Sequence, residues 1–61
     1  MNRADKKQAE IIRLHHAAGN SHAVAAGLSA LIRAAMSAKT KREWIALAEE
    51  LGATSHPEFI V

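Results

Sequence analysis

The sequence predicts an all-α chain of three short helices, and three observations carry that prediction. Apolar residues make up 49% of the chain and aromatic ones only 3%, and alanine dominates the apolar set. Alanine has the highest helix propensity, whereas strands favour the β-branched and aromatic types that are scarce here. Apolar positions recur at i, i+3, i+4 and i+7, the period of a helix face. Gly19-Asn20 and Gly52 then punctuate the chain where helices would end.

The first helix is expected over about 3–18. Asn2 is its N-cap, and Asp5 occupies the N3 position, where a negative charge meets the positive helix terminus. Ala4, Ile11, Ile12, Leu14 and Ala18 are placed on one inward face, with His15 in its middle as a buried histidine and His16 turned outward. Lys6, Glu10 and Arg13 form a solvated outer face of mixed sign.

The second helix is expected over about 21–37, capped by Asn20 or Ser21. Between His22 and Arg33 its only polar groups are His22, Ser29 and Arg33, which fall on one strip at about 100° per residue. Val24, Leu28, Leu31 and Ile32 make a bulky stripe, and Ala23, Gly27, Ala30 and Ala34 a smooth one. A helix apolar nearly all round must be buried nearly all round, and a 61-residue chain is near the lower limit for covering it alone. Self-association is therefore expected, as an intertwined or face-to-face homodimer. Ala23, Val24, Gly27, Leu28, Leu31, Ile32, Trp44 and Leu47 are its core and interface. Gly27 is weakly suited to a helix interior, so the close approach of another helix is the expected reason for it.

The third helix is expected over about 41–51. Thr40-Lys41-Arg42-Glu43 reads as a capping box, Trp44, Leu47, Ala48 and Leu51 as the core stripe, and Gly52 as the C′ stop. Pro57 keeps His56 extended and leads to Phe59-Ile60-Val61, an apolar tail expected to dock on its own domain or on a partner.

One domain, 1–61, is all this length allows. The chain has no cysteine, so disulfides, cysteine nucleophiles and the common zinc sites are excluded. The histidines lack partners at metal-ligand spacing. No glycine-rich phosphate loop or catalytic constellation is present. No enzyme activity, cofactor, metal or small-molecule substrate is expected. No segment suits a membrane span or a secretion signal, which makes a cytoplasmic location the default.

Function is then expected to be contact. The first expectation is a non-enzymatic regulator or adaptor that binds and modulates a larger protein, with Ile45, Phe59 and Ile60 as partner contacts. The alternative is a dimeric helix-turn-helix-like nucleic-acid binder, with Lys39, Lys41 and Arg42 on phosphates and Arg33 assisting. Its formal charge of +2 and pI near 9.5 are compatible with that. Glu43, Glu49 and Glu50, on the helix that would enter the groove, weigh against it. A purely structural assembly subunit is the third.

Overall fold

The computed structural model describes residues 1–61 as three helices, α1 (Arg3–Ala17), α2 (Ser21–Ala34) and α3 (Ala38–Glu50), followed by a single 3-10 turn at Ala53–Ser55. The all-α expectation holds. Asn2 caps α1, its side-chain oxygen accepting from Asp5 N–H at 2.8 Å. Gly19, at φ +77°, closes α1 with a paired wrap of backbone bonds: Gly19 N–H to His16 O at 3.0 Å and Asn20 N–H to His15 O at 2.9 Å. Only a residue free to take the left-handed conformation makes that turn without strain. Asn20 then serves twice, since its side chain accepts from Ala23 N–H and caps α2.

Two boundaries differ from the sequence reading. α2 stops at Ala34, not Ser37, and α3 starts at Ala38, not Lys41. The cap of α3 is Ser37, whose hydroxyl accepts from Thr40 N–H at 3.1 Å. Thr40 is thus three residues inside the helix and does not cap it. Glu43 completes no capping box and instead meets the Met1 ammonium at 3.1 Å. Ser37 and Thr40 are both good caps by chemistry. The three-residue turn at 35–37 suits the earlier one and keeps Trp44 in the core.

α2 packs on α1 along one side and on α3 along the other. Met1–Glu43 joins the start of α1 to the first half of α3, and Arg13–Glu50 at 2.6 Å joins their far ends. α1 and α3 therefore run parallel, with α2 antiparallel to both. Nine apolar residues form the core: Ile12, Val24, Ala25, Leu28, Ile32, Trp44, Leu47, Ala48 and Ala53.

Much of the bulky stripe of α2 is covered within the single chain, whereas Ala30 and Ala34 of its smooth stripe stay exposed. Val24, Ala25, Leu28, Ser29 and Ile32 are all buried. The side of α2 at Ser29 is covered by the C-terminal tail. Buried Ser29 Oγ donates to Ala25 O at 2.8 Å and is 3.1 Å from Glu58 O, and it accepts from Ile60 N–H at 2.9 Å. A hydroxyl inside an apolar helix needs partners, and the tail's backbone supplies them.

α1 departs most from its expected facing. Ile12 alone is buried, Ala9 and His15 are half-buried, and Ile11, Leu14, Ala4 and Ala18 are exposed. His15 is not the centre of a buried face. Ile12 seats α1 closely on α2, since a Cβ on Gly27 would lie 2.9 Å from Ile12 Cδ1. The close approach that Gly27 allows is made by α1 of the same chain.

Candidate nucleic-acid interface

The up-down-up arrangement gathers the start of α1, the end of α2 and the start of α3 at one end of the bundle. Arg3, Lys6 and Lys7 lie on the first turns of α1 and Arg33 on the last turn of α2. Lys39, Lys41 and Arg42 lie on the first turns of α3. Arg13 is the only one of the eight lysines and arginines elsewhere, and it is held by Glu50. All seven cations at this end are exposed. The sequence reading named four of them, Arg33, Lys39, Lys41 and Arg42. It missed Arg3, Lys6 and Lys7, because joining them to the turn requires knowing that α1 and α3 are parallel.

The acids that weighed against this surface are displaced from it. Glu43 is half-buried and drawn towards α1 by the Met1 ammonium. Glu50 is paired with Arg13, whose guanidinium holds the Glu50 carboxyl below the usual range, chiefly by hydrogen bonding and then by its charge. The Arg13 value rises for the same reasons. Glu49 sits at the opposite end of α3. The solvent strip of α3 thus reads Lys39, Arg42, Ala46 and Glu49, basic for two turns and acidic only at its close. Lys41 lies about 160° round the axis from Lys39, towards Arg33 on α2, whereas Lys6 and Arg3 flank the other side.

Two helix N-termini, those of α1 and α3, add their positive dipole ends here. A cleft of about 230 Å³ opens among them, lined by Asn2, Asp5, Leu31, Ala34, Ala35, Met36, Thr40 and Trp44. Met36, at the tip of the turn, is 99% exposed.

Of the other expected sites, Val24, Leu28, Ile32, Trp44 and Leu47 are core residues of the single chain. Ala23, Gly27 and Leu31 are half-buried. Ile45 and Phe59, expected to meet a partner, are half-buried against the chain's own core. Ile60 is exposed, with its backbone N–H held by Ser29. At the opposite end, His22 lies 3.9 Å from Glu58, and its ring is edge-on to that of His56 at 6.5 Å. His56 Nδ1 accepts from Glu58 N–H at 3.0 Å. No helix is long and apolar enough to cross a membrane. No protein-family model matches the chain, and no curated protein or solved structure is significantly similar to it.

Proposed function

We propose that this chain is a small, non-enzymatic DNA-binding protein that presents its basic end to the duplex, with the first two turns of α3 directed into the major groove. One observation carries the reading: seven of the eight lysines and arginines converge on the end that also holds two helix N-termini. Phosphate contacts supply most of the affinity of such proteins, and base edges supply selectivity. Lys39 and Arg42 sit where an inserted helix meets bases. Lys41 with Arg33 on one flank, and Lys6 with Arg3 on the other, are placed for the two phosphate walls of a groove about 12 Å wide. The reading carries a cytoplasmic location with it.

The deciding experiment is anisotropy of a labelled 20-base-pair duplex, titrated with protein at several salt concentrations. Engagement of about five phosphates gives a log–log slope near −4.5. Lys41→Gln should flatten that slope by about one. No binding at about 50 mM salt, or a slope near zero, sinks the proposal.

A second reading, a regulator docked on a larger protein, rests on the bare apolar side chains Ile11, Leu14 and Met36. An apolar protein contact responds little to salt. Recovery of one stoichiometric protein from nuclease-treated extract, together with a failed duplex titration, would favour it.

A further inference from the structure

Ile12 and Gly27 meet along the seam between α1 and α2, and the exposed apolar residues lie beside that seam. Ile11 is about 100° round α1 from Ile12, with Leu14 next to it. On α2, Ala34 and Ala30 lie about 20° and 60° round from Gly27. Because the two helices are antiparallel, these positions fall on the same side of the seam, the side away from α3. The result is a two-helix face with Ile11, Leu14, Ala30 and Ala34 exposed on it, Gln8 and His15 nearer the seam, and the charges Lys7 and Arg33 at its two margins. Leu14 is 69% exposed and Ile11 40%.

We infer that this face receives a second copy of the same chain, laid antiparallel. Charge complementarity selects that occupant. One end of the bundle holds the seven unpaired cations against Asp5 and the Met1-paired Glu43, and the other holds Glu49, Glu58 and the Arg13–Glu50 pair. An antiparallel copy sets each basic end beside the other's acidic end. It also carries Lys7 of each copy towards the negative C-terminal end of the other's α1. A parallel copy would stack like charges, and so would a copy docked on the basic end around Met36. The broad side of the bundle spans 28 × 21 Å, on the order of 600 Å² per copy. That bounds the area such a face could bury and lies at the low end of specific interfaces. The association draws on the same basic end as the DNA proposal. Its apolar contacts Ile11, Leu14, Ala30 and Ala34 are none of the residues assigned to phosphate or bases, and its test needs no nucleic acid.

Sedimentation velocity from about 5 to 500 µM tests it, with no nucleic acid present. Expected is a monomer–dimer equilibrium that weakens several-fold between 50 and 500 mM salt as the end-to-end attraction is screened. Leu14→Glu should raise the dissociation constant at least tenfold, and Ala30→Glu should do so through the other helix. Both positions are exposed, so helical circular dichroism should be unchanged. A lone monomer at 500 µM in low salt overturns the inference. So does a dimer indifferent to both substitutions, and so does one indifferent to salt, which would remove the antiparallel arrangement.

Discussion

Gly27 is the residue whose role the structure changes most. A side chain there would meet Ile12 Cδ1 at 2.9 Å, so the glycine sets how closely α1 lies on α2. Alanine would gain about 1 kcal/mol of helix propensity, but the tip of Ile12 must move to admit it. Gly27→Ala should therefore be close to neutral in chemical denaturation. Gly27→Leu has no such escape and should cost about 2–3 kcal/mol, as overpacked cores do. Removing the offending methyl tests the contact itself. In an Ile12→Val background, Gly27→Ala should be more favourable than in the wild type by about 1 kcal/mol, a coupling that only touching residues show. Simple additivity in that cycle would mean the two positions are not in contact. Sequence inspection picked out Gly27 because a glycine inside a helix needs a reason. It assigned the approach to another chain, since wheel positions alone do not say which helix comes near.

At the scale of elements, the start of α3 and the docking of the tail are decided by hydroxyls. Ser37 caps α3, so Ser37→Ala should lower stability by about 1 kcal/mol. Thr40→Ala loses only the exposed hydroxyl contact to Ser37 and should fall within about 0.5 kcal/mol. The opposite ranking in thermal melts would restore Thr40 as the cap. The tail hangs on Ser29. Ser29→Ala strips the Ile60 N–H of its acceptor, at a cost of about 1–2 kcal/mol. Amide exchange at Ile60 should accelerate well beyond that at Leu28. Uniform exchange changes would show that the tail is not a separate unit. The stop at Gly19, the stop at Gly52 and the cap at Asn2 were legible because glycine and asparagine suit those backbone positions by local chemistry. The α2–α3 boundary was not. Residues 35–37 contain neither glycine nor proline, so nothing local forbids the helix from continuing.

For the whole molecule, the dominant property is charge polarity along the bundle axis. Arg13–Glu50 ties α1 to α3 on the surface, and the Glu50 carboxyl is lowered by it. A group with a lowered folded value contributes stability that is fully present above the ordinary glutamate range, near pH 4.3. That contribution is lost as pH falls through the folded value. Stability should therefore drop below about pH 4, and Glu50→Gln should make that part of the acid limb shallower. An unchanged acid limb in Glu50→Gln would show that the pair contributes nothing. High salt should weaken the same pair, because both partners face water. The histidines at the acidic end and the cations at the other give the molecule two chemically distinct poles, a separation that the net charge of +2 conceals.

By itself the sequence determined the helical class, the helix count, two of the three stops and the apolar core on α2 and α3. Each of these follows from backbone propensity, left-handed glycine or period, which are properties of neighbouring residues. Tertiary structure decided which face of α1 is buried, that the tail seals α2 at Ser29, and that Arg3, Lys6 and Lys7 join the basic turn. Those outcomes depend on groups far apart in the chain meeting in space, and no local spacing encodes which of several apolar or charged surfaces will be the ones to meet.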